Sequence, residues 1–174
     1  LQVEVVVVSV DYRMGPEQKF PAAYEDTVAA FNWTVSQAAN LGIDPGRIEL
    51  RPASFHADVL LQYADIDIAL DPFPFTGGLT SCEALWMGVP VITWPQSRVV
   101  SRQTFALLNQ IGLPELAAKD AEDYVRVAVE LANNFQRLIH LRQTLRQRMQ
   151  ASPLCDVAGF TQNIEETIVN LYDT

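Results

Sequence analysis

The sequence is poor in cysteine and in basic residues. Two cysteines occur in 174 residues, Cys82 and Cys155, without the paired spacing of a zinc site. A disulfide framework is therefore excluded, and the composition favours a reducing, cytoplasmic environment. Lys and Arg total 12 against 21 Asp and Glu, a net charge of −9. Because nucleic acids and anionic membranes attract clustered basic side chains, we expect no partner of either kind.

Long apolar runs are also missing. No uninterrupted apolar stretch is longer than that of residues 5–8, whereas a membrane span needs about 20 residues. The first residues lack the basic segment and cleavage site of a signal peptide, so none is expected. The sequence starts at Leu1, without an initiator Met, which suggests a fragment, a processed product or a recombinant chain. Apolar residues nevertheless make up 49% of the chain, enough for a core.

Strand-like and helix-like segments alternate along the chain. The β-branched run at residues 3–10 is typical of a strand buried on both faces of a parallel sheet. Further strands are predicted at residues 47–51, 66–70 and 89–94, with a short fifth at 114–118. Helical spacing, with glycine stops, predicts helices at residues 21–40, 57–63, 80–87, 101–111, 121–132, 135–150 and 157–171.

This alternation predicts a three-layer α/β/α fold with about five parallel strands and additional C-terminal helices. The strand order is expected to be flavodoxin-like (2-1-3-4-5) or Rossmann-like. We treat residues 1–174 as a single domain. Its parts are a βα unit at 1–46, further βα units at 47–120 and a helical part at 121–174.

The glycine-containing turn before the helix at residues 80–87 is the strongest candidate binding feature. In a doubly wound sheet, ligands bind beyond the carboxyl ends of the strands, here near residues 11–17 and 71–80. Exposed amides at the start of a helix favour a phosphate group. An alternative stays open, because Thr80 and Glu83 also have the spacing of a capping box, which would satisfy the helix's own donors.

The first 48 residues contain two notable stretches, VVSVDYRMGPEQKFPAAYEDTVAAFNW and LGIDPGRI. They resemble hormone-sensitive-lipase-type esterases of the α/β-hydrolase fold. Such an enzyme needs a serine in a G-x-S-x-G turn and an oxyanion segment. The sequence contains neither, so we predict no esterase activity.

Residues 43–172 contain a second group of motifs, DPGRIELRP, YADIDIALDPFPFTGGLTSCEALWMGVPVITW and SPLCD. They resemble the C-terminal part of the catalytic region in bacterial relatives of O-linked N-acetylglucosamine transferases. The resemblance implies the Rossmann-like, nucleotide-binding lobe of a two-lobed GT-B glycosyltransferase. Because the two resemblances meet at GIDPGRI, the sequence predicts a chimera, natural or engineered.

The glycosyltransferase resemblance implies a site for UDP or UDP-GlcNAc, weak in this chain, with no cofactor required. Its residues would be Gly77, Gly78, Leu79 and Thr80 at the diphosphate, Glu83 at the ribose, and Ser54 and His56 beside the uracil. We interpret Asp65, Asp67 and Asp71 as a solvated acidic face rather than metal ligands. Arg137, Arg142, Arg146 and Arg148 are interpreted as a solvated basic face.

Three hypotheses follow. The first is a folded chimera without catalytic residues that binds UDP weakly at most. The second is the nucleotide-sugar-binding half of a glycosyltransferase that needs a second lobe. The third is a self-associating module, in which the last helix and other exposed apolar surface form a homodimer.

Overall fold

The computed structural model describes Lys19, residues 21–44, 46, 51 and 56–172. Within these residues, helices pack around a small parallel sheet. In chain order the elements are α1 (Ala22–Ser36), α2 (His56–Gln62), β1 (Ala69–Leu70), α3 (Leu79–Trp86), β2 (Val91–Ile92), α4 (Gln103–Gln110), α5 (Ala121–Ala132), α6 (Phe135–Gln150) and α7 (Val157–Tyr172). Short 3-10 turns occur at Tyr63–Asp65, Val99–Ser101, Pro114–Leu116 and Pro153–Cys155.

The sheet consists of β1 and β2, which pair in parallel with Ala69 opposite Val91. A parallel bridge between Thr93 and Ala117 continues it on the far side of β2. In this bridge the Ala118 amide donates to the Thr93 carbonyl at 2.8 Å. The strands predicted at residues 66–70 and 89–94 are therefore neighbours, and the segment predicted as the fifth strand meets the second of them by one bridge.

The five-strand prediction is not confirmed. The strands predicted at residues 66–70 and 89–94 shorten to two residues each, and residues 114–118 form a 3-10 turn and one bridge. The amides of Leu116 and Ala117 donate to the Leu113 and Pro114 carbonyls within this turn, so the pairing with β2 does not extend toward residue 114. The strand predicted at residues 3–10 lies outside the described residues. Of that predicted at 47–51, only Arg51 is described, and it is not in a strand.

The predicted helices agree well with the described ones. The bounds of α5 and α6 are as predicted, and those of α2, α3, α4 and α7 differ by at most two residues, but α1 ends at Ser36, four residues before its predicted end. Asp120 caps α5 by accepting the Asp123 amide at 2.8 Å. Gly88 and Gly112 directly follow the C-caps of α3 and α4 with positive φ, as C-terminal stops require, whereas Gly42, also with positive φ, lies in the turn beyond α1.

The core lies between the sheet and helices α3, α5 and α6. Its fully buried side chains include Leu85, Ile92, Leu108, Leu141 and Leu145. They belong to one cluster, to which the half-buried Cys82 and Leu138 also pack. The hydrophobic periodicity of α5 and α6 thus serves to cover the sheet.

The arginines of α6 are only partly the solvated face that we predicted, because Arg142 and Arg146 bind backbone carbonyls while Arg137 pairs with Glu115 at the surface. The Arg142 guanidinium donates to the carbonyls of Tyr63 and Ile66, at the end of the segment that follows α2. Arg146 donates to the Trp86 carbonyl at 2.9 Å and lies over the Trp86 ring. These side chains satisfy carbonyls that end other elements, so they attach α6 to its neighbours.

The last helix, α7, has no buried residue. Val157, Phe160, Ile164 and Ile168 follow one another at helical spacing, and each is at least 44% exposed. They form an apolar stripe, which the described part of the chain does not cover. In that part, no helix combines the length and apolarity needed to cross a membrane.

The Leu145→Ala variant tests the core. Leu145 is fully buried, so its truncation leaves a cavity and should lower the free energy of unfolding by about 2–5 kcal/mol. Leu61→Ala is the control, because Leu61 is 69% exposed on α2 and its truncation should cost less than about 0.5 kcal/mol. Urea unfolding followed by circular dichroism measures both. Equal losses would contradict the assigned core.

Candidate functional site

The glycine turn leads directly into α3. The helix begins at Leu79, with Gly78 at the N-cap position and no side-chain hydrogen bond to cap it. A capping box needs a hydroxyl residue at the N-cap and an acid three residues later. Thr80 is instead the second residue of the helix, two positions too late. The capping-box alternative is therefore wrong.

The first amides of α3 are open. The amides of Leu79 and Thr80 donate to no group among the described residues, as expected for the first turn of a helix without a cap. Leu79 is 71% exposed, so this end of the helix faces outward. Unpaired amides at the positive end of a helix dipole are suited to a phosphate.

His56 and Glu83 lie together beside this helix start. His56 Nε2 is 3.0 Å from Glu83 Oε1, and their side chains are 63% and 14% exposed. Glu83 is thus a sheltered carboxylate with an exposed partner. Tyr63 follows α2, and its hydroxyl donates to the Thr80 carbonyl at 3.3 Å. These contacts hold α2 against the first turn of α3.

The carboxylate of Asp71 lies beneath the turn. One oxygen accepts the Gly77 amide at 2.7 Å and the other accepts the Thr93 hydroxyl at 2.6 Å. The residue is 3% exposed, and burial raises the pKa of its carboxyl group, against the effect of these two hydrogen bonds. The Tyr124 hydroxyl donates to the Asp71 carbonyl at 2.9 Å. Asp71 thereby joins the ends of β1 and β2 to the turn.

Further buried hydroxyl groups surround the turn. Thr104 of α4 donates to the Gly77 carbonyl at 3.0 Å, and its oxygen is 2.9 Å from Ser81 Oγ. The hydroxyl and the amide of Thr76 both donate to the Val100 carbonyl, at 2.9 and 3.1 Å. Asp71, Thr76, Ser81, Thr93 and Thr104 are five of the seven buried polar residues in the described part of the chain. We call these five the polar layer.

The structure brings most of the predicted site residues together. Gly77, Gly78, Leu79 and Thr80 form the turn and helix start, and Glu83 and His56 lie beside them. Ser54 lies outside the described residues. The polar layer was missed, although Asp71 and Thr93 each follow a strand and could have been placed at the same sheet edge.

The acidic-face interpretation is only partly right. The side chains of Asp65 and Asp67 are 63% and 83% exposed, as expected for a solvated face. Asp71 is buried instead, because it follows β1 and its carboxylate has internal donors. In the part of the chain that is described, no three His, Cys, Asp or Glu side chains are grouped to hold a metal ion.

The profile of glycosyl transferase family 41 matches residues 17–164. The chain belongs to this family. A probable UDP-N-acetylglucosamine–peptide N-acetylglucosaminyltransferase SPINDLY of Petunia hybrida is 41% identical over 133 residues, which are 76% of this chain and 14% of that protein. The Solanum lycopersicum protein of the same name is 42% identical over 126 residues, 72% of this chain and 14% of that protein. The chain thus spans about one seventh of these relatives.

A solved structure agrees with the family. An O-GlcNAc transferase mutant of Thermobaculum terrenum matches with a TM-score of 0.71 and 34% identity, over 84% of this chain and 28% of that one. The likeness supports an α/β fold of the GT-B class. It extends beyond the two-stranded sheet to most of the helices.

The chimera interpretation is corrected by the family match. The profile of family 41 begins at residue 17 and covers residues 17–48 of the stretch assigned to an esterase. An engineered or hybrid origin is likewise without support.

The Gly77→Ala variant tests the fit of the turn. A methyl group at Gly77 would collide with Ser81 Oγ and come within 2.8 Å of Thr80 Oγ1. We expect a loss of about 1–3 kcal/mol in the free energy of unfolding, because Ser81 must leave Thr104. At Gly78 the methyl would meet only the flexible end of Gln103, at 3.1 Å. Gly78→Ala should therefore unfold at a urea concentration closer to that of the wild type. A larger loss of stability in Gly78→Ala than in Gly77→Ala would contradict this packing.

Proposed function

We propose that this chain supplies the nucleotide-binding half of a glycosyltransferase that uses UDP-GlcNAc. One observation carries the proposal: the uncapped start of α3 lies beside a sheltered acid, Glu83, in a member of family 41. The relatives are named for a sugar nucleotide, UDP-N-acetylglucosamine. The observation favours this function over the first hypothesis, a folded domain without catalytic residues that binds UDP weakly at most.

Each part of UDP has a matching group. The diphosphate would accept hydrogen bonds from the open amides at Gly78, Leu79 and Thr80, assisted by the helix dipole. The Glu83 carboxylate can accept both ribose hydroxyl protons, since ionised carboxylates are pure acceptors. His56, together with Ser54, would lie beside the uracil. Glu83 must then share its oxygens between His56 and the ribose.

Sugar transfer itself would require the remainder of the enzyme. Holding donor and acceptor in the reacting geometry can contribute about 7–11 kcal/mol to catalysis. The chain covers about 14% of the SPINDLY relatives, so the groups that hold the acceptor belong to the rest of such a protein. We therefore expect this chain to bind UDP weakly and to transfer sugar only with a second lobe.

The experiment is a titration of the isotope-labelled chain with UDP, followed by two-dimensional amide NMR. We expect shifts at Gly78, Leu79, Thr80 and His56. Glu83→Gln should weaken binding about tenfold or more, because hydrogen bonds to charged groups are worth about 1.5–3 kcal/mol. Glu122→Gln is the control: it removes the same charge at an exposed position on α5 and should leave the affinity unchanged.

Two results would contradict the proposal. One is a wild-type amide spectrum in which millimolar UDP causes no chemical-shift changes. The other is equal weakening by Glu83→Gln and Glu122→Gln, which would reduce the role of Glu83 to its contribution to net charge. Adding a separately produced partner lobe and assaying sugar transfer then tests the requirement for the rest of the enzyme.

Self-association is a second candidate function, and the exposed stripe on α7 favours it. We propose that Val157, Phe160, Ile164 and Ile168 form the contact of a homodimer, since burying such a stripe is favourable. Sedimentation over a concentration series should give a dimer that Ile168→Glu weakens. Asn163→Glu adds the same charge on the same helix outside the stripe. The dimer of this variant should therefore dissociate less than that of Ile168→Glu. A monomer at every concentration would refute the candidate.

A further inference from the structure

Both backbone polar groups of Gly77 are bound by side chains from different elements. Its amide donates to Asp71, which follows β1, at 2.7 Å. Its carbonyl accepts the hydroxyl of Thr104, from α4, at 3.0 Å. Thr104 is fully buried, so the Gly77 carbonyl points into the protein.

The direction of this carbonyl determines the direction of the next amide. In a planar trans peptide, the C=O and N–H groups point in opposite directions. With the Gly77 carbonyl directed at buried Thr104, the N–H of Gly78 is directed the opposite way. That amide belongs to the N-cap residue of α3, at the outward-facing end of the helix. The Gly77 amide, in contrast, is already used by Asp71.

We infer that Thr104 is a positioning residue, which turns the Gly78 amide toward the diphosphate of a bound nucleotide by holding the Gly77 carbonyl inward. This inference rests on the proposed function for the identity of the ligand. Thr104 does not reach the ligand itself, because it is fully buried. It acts through one peptide plane.

The peptide between Gly77 and Gly78 needs such an anchor. Glycine tolerates backbone conformations that other residues avoid, so a plane between two glycines rotates at low cost. The rotated plane would present the Gly77 carbonyl oxygen, an acceptor, to an anionic ligand. The Thr104 hydroxyl donates to the Gly77 carbonyl, and the 2.9 Å contact between Ser81 Oγ and Thr104 Oγ1 lets Ser81 donate to Thr104. The Gly77 carbonyl therefore has a hydrogen-bond donor when it points inward, toward Thr104.

The test compares Thr104→Val, which keeps the size and removes the hydroxyl, with Thr104→Ser, which keeps the hydroxyl. The first measurement is the solvent accessibility of the Gly78 amide, from its relaxation by a soluble paramagnetic agent. We expect an accessible amide in the wild type and in Thr104→Ser, and a protected one in Thr104→Val. Should Thr104→Val not fold, Thr104→Cys replaces it, as a side chain of similar size and weak donor strength.

The second measurement separates positioning from general damage. UDP and uridine share the base and ribose, but only UDP carries the diphosphate. We expect Thr104→Val to weaken UDP binding at least about tenfold and uridine binding less than about twofold, with Thr104→Ser restoring UDP binding. A damaged fold would weaken both ligands alike.

The outcomes distinguish this inference from the proposed function. Equal losses of UDP and uridine binding would overturn the inference. So would a Gly78 amide whose solvent accessibility is unchanged in Thr104→Val. A wild-type chain that binds no UDP would overturn the proposed function. The solvent accessibility of the Gly78 amide would still show whether Thr104 sets the direction of that amide.

Discussion

The arrangement of the site depends on the buried carboxylate of Asp71. An ionised carboxylate is costly to bury unless donors satisfy it, and burial raises the pKa of this one. The nearest donors are the Gly77 amide and the Thr93 hydroxyl, and the hydroxyls of Thr104 and Ser81 also lower the pKa of this carboxyl group. Because one donor follows β2 and the other begins the glycine turn, the carboxylate can be satisfied only when both have their native positions. The start of α3 is fixed as a consequence.

The polar layer shows why this region is not built from apolar side chains. Apolar residues of similar volume at Asp71 and Thr104 would fill the space beneath the turn. They would, however, leave the amide and the carbonyl of Gly77 without partners, at about 1–3 kcal/mol for each buried group. Hydroxyl and carboxylate groups satisfy that backbone in a single conformation. The layer therefore serves to define the shape of the turn more than to add stability.

The sequence predicted the helices better than the sheet or the site. The bounds of α5 and α6 were predictable because their apolar periodicity agrees with side-chain caps at Asp120 and Asn134. An apolar run indicates burial but not ladder length, so residues 89–94 could not be known to pair over only two residues. The capping-box alternative was wrong because α3 begins two positions earlier than that motif requires, with Gly78 rather than Thr80 at the N-cap. The polar layer depends on contacts between distant segments, which spacing along the chain does not reveal.

The two sides of the candidate site are held by different physical means. The turn is held by buried hydrogen bonds, which exclude competing water. The segment that carries His56 has no buried residue in α2, and it is attached by the exposed contact to Glu83, the Tyr63 hydroxyl and the Arg142 guanidinium. These contacts lie at or near the surface, where ion pairs and hydrogen bonds contribute less than in the interior. The turn is thus preorganised, whereas the segment that carries His56 can adjust. In the proposed nucleotide site, this difference would let Glu83 share its oxygens between His56 and the ribose without disturbing the turn.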